Sequence, residues 1–147
     1  MADAWMETLT QQECVSLLKA HDVGRVAFQA EKFPVVLPVN YKLIDGFSFP
    51  LLAIRTRPGN LIDRAPMQVA LEVDEIDRSR RQGWSVLVRG ILRHLSGDTQ
   101  SWGELLDPHP WLTAERDSWL LLDPVALTGR RLHAGGVDWA FHVSAYL

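Results

Sequence analysis

The chain has 147 residues, 47% of them hydrophobic, with a formal charge of −3 and a single cysteine. That length suits one domain with a real core, and the lack of a basic excess argues against general nucleic-acid binding. Cys14 alone cannot close an intrachain disulfide, no basic-then-apolar leader opens the chain, and no apolar run approaches the ~20 residues that span a bilayer. A cytoplasmic domain without membrane contact is expected.

Residues 1–9 read as a loose lead-in. Thr10-Gln11-Gln12-Glu13 has the form of a capping box, with Leu9 and Cys14 placed as a hydrophobic staple. Cys14, Leu17 and Leu18 follow at helical spacing, and the helix should stop near His21, before Asp22 and Gly24. Gly24 to Ala30 reads as a strand. After a turn at Glu31-Lys32, Phe33 to Tyr41 is strand-like, but Pro34 and Pro38 imply an edge or a bulge. Asp45-Gly46 is the best hairpin signal, returning through Phe47 to Thr56 with an irregularity near Pro50.

Arg55 to Asn60 is a polar turn carrying two arginines, and it feeds a short helical piece, Leu61 to Ala65. Such a turn is either a solvated loop or a place where backbone N–H groups meet an anion. Met67, Val69, Leu71 and Val73 alternate with Gln68, Ala70 and Glu72, the pattern of a half-buried strand. Asp74 to Gln82 is charged and reads as an exposed connection. Gly83 to Leu95 is a long strand. Trp84, Val86 and Val88 share one face of it; Ser85, Leu87 and Arg89 share the other, which suits an anionic ligand. Asp98 to Leu106 looks helical, Trp111 to Arg116 is a connector, and Ser118 to Leu122 is a strand closed by Asp123-Pro124. Val125 to Leu132 follows, then a tail from Ala134 to Leu147 that should pack on the domain or on a second subunit. The sum is about six strands and two or three helices. The sheet is mainly antiparallel, and closure into a barrel would remove its edges.

The five histidines have no metal-ligand spacing among themselves or with Cys14, so no metal site is expected. Cys14 sits on the apolar helix face and reads as core. No nucleophile elbow, phosphate loop or carboxylate pair volunteers as a catalyst, which leaves any hard chemistry to a cofactor.

Several stretches taken in order resemble the pyridoxamine 5′-phosphate oxidase-like family of flavin-binding split barrels, over about residues 10–132. They are Val23-Gly24-Arg25-Val26-Ala27, Pro34 to Tyr41, Arg55-Thr56-Arg57-Pro58-Gly59, Ala70 to Asp74, Gly83 to Gly90, and Thr128-Gly129-Arg130-Arg131. The resemblance implies a mainly β fold: a six-stranded antiparallel Greek-key split barrel with flanking short helices, one domain over residues 1–133. It also implies a homodimer with FMN at the interface. By that likeness Pro38, Val39, Asn40 and Tyr41 line the flavin ring through backbone groups, and Arg55 and Thr56 lie near the phosphate. Ser85 and Trp84 touch the flavin with Arg89 nearby, and Arg130 and Trp119 approach from the partner. Relatives commonly carry a lysine where this chain has Leu61, and an arginine near Leu121. The function implied is an FMN-dependent oxidoreductase acting on a small molecule. The alternatives are a deazaflavin F420-dependent reductase on the same fold, or a non-catalytic flavin- or heme-binding sensor.

Overall fold

A computed structural model describes residues 4–45, 49–56, 59, 61–95 and 118–134. The elements are β1 (Trp5–Thr8), α1 (Gln11–Ala20), β2 (Val23–Ala30), β3 (Phe33–Ile44), β4 (Leu51–Thr56), a 3-10 turn (Leu61–Arg64), β5 (Met67–Asp77), β6 (Gln82–His94) and β7 (Ser118–His133). The strands pair antiparallel in the order β1-β7-β4-β3-β2-β5-β6, and β6 returns to pair with β7. Strands β2 to β7 therefore close a six-stranded barrel. The step from β4 across β3 and β2 to β5 gives it the Greek-key path. Closure leaves no strand of the ring without a neighbour on either side.

Alternation decides which side chains fill the barrel. Val69, Leu71 and Val73 of β5 are buried, as are Val86, Val88 and Leu92 of β6. Each fully buried side chain of this size stabilises the fold by roughly 1.5–3 kcal/mol. The intervening residues, Glu72 and Asp74 on β5 and Ser85, Leu87 and Arg89 on β6, point outward.

Helix α1 forms as its sequence demands. Thr10 Oγ1 accepts the Glu13 N–H at 3.2 Å, and Glu13 Oε2 accepts the Thr10 N–H at 2.8 Å. Leu9 and Cys14, the staple pair, are both buried. The helix docks on β7: the Leu9 N–H donates to Gly129 O at 2.9 Å and Gln11 Nε2 to Leu127 O at 3.1 Å. A Cβ on Gly129 would stand 2.5 Å from Cys14 Sγ, so the glycine permits this approach. Burial, then the neighbouring Glu13 charge, pushes the Cys14 thiol pKa up, in keeping with a core residue.

Three expectations change. Residues 1–9 are not all lead-in: β1 pairs with the end of β7, Trp5 opposite His133, and those two rings stack at 3.9 Å. The connection after β5 is shorter than the charge pattern suggests, because β5 runs on to Asp77, paired with Gln82. Ser118 to Leu132 is one strand rather than two, since Asp123-Pro124 sits at a bulge. Arg89 pairs with Ala126 and Gly90 with Pro124, so Val125 is passed over and stands 74% exposed.

The prolines of β3 behave as an edge requires. Residues 33–40 pair with β2, and pairing with β4 begins only at Tyr41. The turn at 46–48, residues 57, 58 and 60, the helix expected over Asp98 to Leu106, the connector Trp111 to Arg116 and the tail beyond Ala134 lie outside the described residues. Among the described residues, no helix is long and apolar enough to cross a membrane.

Candidate functional site

One group of expected residues gathers where β3 and β4 part. Their pairing ends at Tyr41 opposite Ile54. The next residues on each strand are Asn40 and Arg55, so Pro38 to Tyr41 and Arg55-Thr56 form the two arms of a fork. Among the described residues no strand pairs with the second edge of β3 at Pro38, Val39 and Asn40. Val39 is buried, whereas Pro38 and Asn40 are exposed. Tyr41 is committed elsewhere: its hydroxyl donates to Leu18 O at 2.7 Å and its N–H to Asp22 O at 2.9 Å. Burial, then the Asp22 charge, raises its phenol pKa well above the ordinary value.

Arg55 is half-buried and Thr56 buried at the end of β4. Arg55 pairs with Trp119 across β7, and its guanidinium lies 5.8 Å from the centre of that ring, within cation–π range. The turn that follows does not offer its glycine amide outward: the Gly59 N–H, at a φ of 82°, donates to Asp63 Oδ2 at 3.0 Å. His94 flanks the same aspartate, Nε2 lying 3.0 Å from Asp63 O. Leu61 is exposed on the 3-10 turn. Among the described residues, Arg55 and Thr56 are the groups of this region that suit an anion, and the Gly59 amide is already taken.

A second group lines a cleft of about 350 Å³ on the outer face of β5, β6 and β7. Ser85 is its centre, flanked in register by Asp74 of β5 and Arg130 of β7. Thr128 and Glu72 add polar groups; Met6, Leu87 and Leu132 add apolar wall. Trp84 also reaches this cleft although it lies on the opposite face from Ser85. It sits at the mouth of the barrel, partly buried, with its indole edge-on to His21 at 4.8 Å. Arg89 is exposed and lines a separate hollow of about 390 Å³ with Ala27, Ala70 and Val125. The expected residues thus fall on three surfaces of one barrel: the fork, the cleft and, for Arg89, the separate hollow. Three strand steps separate β6 from β3 one way round the ring, and two separate it from β4 the other.

The sequence reading missed Glu72 and Asp74. Being two apart on one strand, they share a face, and that spacing was the available signal. One guanidinium nitrogen, Arg25 Nη1, serves both, 3.4 Å from Glu72 Oε2 and 3.6 Å from Asp74 Oδ1. Burial, with the hydrogen bond and charge of Asp74, pushes the Glu72 pKa up to about 7 against the opposing pull of Arg25.

Comparison with known proteins agrees with the fold. The family model described as pyridoxamine 5′-phosphate oxidase matches residues 10–131. An uncharacterized protein of Mycobacterium tuberculosis is 32% identical over 131 residues, covering 86% of this chain and 85% of that one. Among solved structures, the FAD binding protein of Mycobacterium smegmatis superposes with a TM-score of 0.73 at 27% identity, covering 88% of this chain and 100% of the other. A FAD-binding protein of Mesorhizobium loti gives 0.67 at 26% identity, covering 86% and 97%. The barrel, its strand order and the matched span together place this chain in the pyridoxamine 5′-phosphate oxidase family.

Proposed function

We propose that this protein binds a flavin, FMN in the first instance, between two copies of itself and acts as an oxidoreductase on a small molecule. The observation that carries the reading is the division of the expected site residues. The fork of β3 and β4 holds Pro38 to Asn40, Arg55 and Thr56, while the cleft of β5 to β7 holds Ser85, Trp84 and Arg130. One barrel presents these as separate surfaces, and a second copy laid against the first would bring a fork to a cleft.

The residues present fit a flavin. The fork edge has backbone groups to offer the ring's polar edge, Arg55 and Thr56 have a cation and a hydroxyl for phosphate, and the cleft has apolar walls with a serine at its centre. A bound flavin supplies hydride and electron transfer at its ring. The chain's part is to hold that ring, exclude water through Met6, Leu87 and Leu132, and orient it with Ser85 and Arg130. Family membership supports a flavin, and the two structural relatives named as FAD-binding proteins give a second reading in which the cofactor is FAD.

The test is to purify the protein, release any chromophore by denaturation and identify it chromatographically. The apo form is then titrated with FMN, FAD and F420. Saturable binding of FMN supports the first reading, preference for FAD the second, and binding of neither flavin at tens of micromolar, on the order of −6 kcal/mol, overturns both. A bound flavin that neither NAD(P)H nor simple donors reduce would make the protein a non-catalytic binder.

A further inference from the structure

Strand β1 is the end strand of the sheet and has one neighbour. Trp5 to Thr8 pair with His133 to Arg130 of β7, and among the described residues nothing pairs with the other edge of β1. A strand this short with one neighbour is marginal in water, so its side chains decide whether it stays. Alternation gives it two faces. Met6 stands opposite Leu132, and both line the cleft of β5 to β7. Trp5 and Glu7 take the other face, with His133 and Arg131. There the contacts converge on one carboxylate. Glu7 Oε2 accepts from His133 Nε2 at 2.7 Å and lies 3.9 Å from Arg131 Nη1, while the Trp5 ring stacks on His133 at 3.9 Å.

We propose that Glu7 is a positioning residue for the cofactor cleft: it clasps β1 to β7 through His133 and Arg131, and so holds Met6 in place as a wall that retains the bound flavin. This rests on the reading that the flavin ring lies in the cleft with Ser85. An exposed ion pair alone contributes little. Glu7, His133 and Arg131 are instead half-buried, and the imidazole that Glu7 holds is the ring on which Trp5 rests. Breaking the Glu7 contact therefore frees the whole outer face of β1. Since β1 is not a member of the closed ring of β2 to β7, it can open locally while the barrel stays intact. Opening carries Met6 away from Leu132 and unroofs that side of the cleft.

The experiment takes two readings on the full chain. Hydrogen exchange of the flavin-free protein reads the clasp: Glu7→Ala should speed exchange in the segment Trp5–Thr8 roughly tenfold and leave β5 and β6 protected. Release of FMN after rapid dilution reads the cleft. It should quicken roughly tenfold in Glu7→Ala and in Met6→Ala, and the double variant should be no faster than Met6→Ala, because Glu7 acts through Met6. Wild-type exchange of β1 in Glu7→Ala overturns the inference, and so does an opened β1 that releases FMN at the wild-type rate. Effects that multiply in the double variant overturn it too, as does exchange that rises equally in β5 and β6, which would make Glu7 a support of the whole barrel. A wild type that binds no FMN is a different outcome: exchange still reports on the clasp, and the flavin reading on which the inference stands is overturned.

Discussion

Ser85 and Arg130 are direct cross-strand partners on β6 and β7, and their side chains line one cleft. Arg130 is exposed, so truncating it should leave the fold alone. Its loss should instead weaken the ligand by a charge-assisted hydrogen bond, about 1.5–3 kcal/mol. Arg130→Ala is therefore expected to bind flavin roughly tenfold or more weakly with an unchanged melting temperature. Equal affinity in a calorimetric titration would remove Arg130 from the site.

Gly90 lies against the bulge of β7. A Cβ there would stand 2.1 Å from the backbone oxygen of Asp123, which has no freedom to move aside. Asp123 is itself held by Arg93, Nε to Oδ2 at 2.6 Å. Gly90→Ala should cost about 2–3 kcal/mol, read by urea unfolding. A variant as stable as the wild type would mean that the β6–β7 register can slip.

Tyr41 ties the barrel to α1 through the Leu18 carbonyl, buried on both sides. Tyr41→Phe leaves that carbonyl without its donor and should lose about 1–2 kcal/mol. Because the Tyr41 hydroxyl and N–H are both committed, to Leu18 O and Asp22 O, flavin affinity should not change. A selective loss of affinity with stability retained would reverse that assignment.

Glu72 predicts a pH dependence with a definite sign. Its folded pKa is raised above 4.5 to about 7, so the folded state binds more protons than the unfolded state between those values. Stability from this group is therefore present at low pH and falls as pH rises through that window. Melting temperature measured from pH 4.5 to 8 should show a decline in the wild type that Glu72→Gln lacks. Identical profiles for the two proteins would place the carboxylate in a better-solvated setting.

Much of the fold was legible because its signals are local. The Thr10–Glu13 capping box, the Leu9–Cys14 staple and the period-two patterns of β5 and β6 each act within a few residues. What stayed hidden depends on partners far along the chain. Trp5 to Thr8 becomes strand only because the end of β7 offers an unpaired edge 126 residues away, where Glu7 also meets His133 at 2.7 Å. Asp123-Pro124 reads locally as a strand end, yet pairing with β6 carries the strand through it as a bulge. The site shows the same division. Motif order singled out Ser85 and Arg130, which the structure sets side by side on one cleft, but the Glu72–Asp74–Arg25 group needed β2 beside β5 to come together. In the turn after Thr56, the capture of the Gly59 amide by Asp63 also needed the structure.

Flavin binding by this barrel is tested by a fluorescence titration of the flavin-free protein with FMN. Saturable quenching is expected with a Kd on the order of 1 μM or tighter, about −8 kcal/mol, one FMN per chain, with the affinity reduced in Arg55→Ala and Arg130→Ala. Fluorescence that stays proportional to added FMN, with no saturation and no difference between wild type and variants, would contradict it.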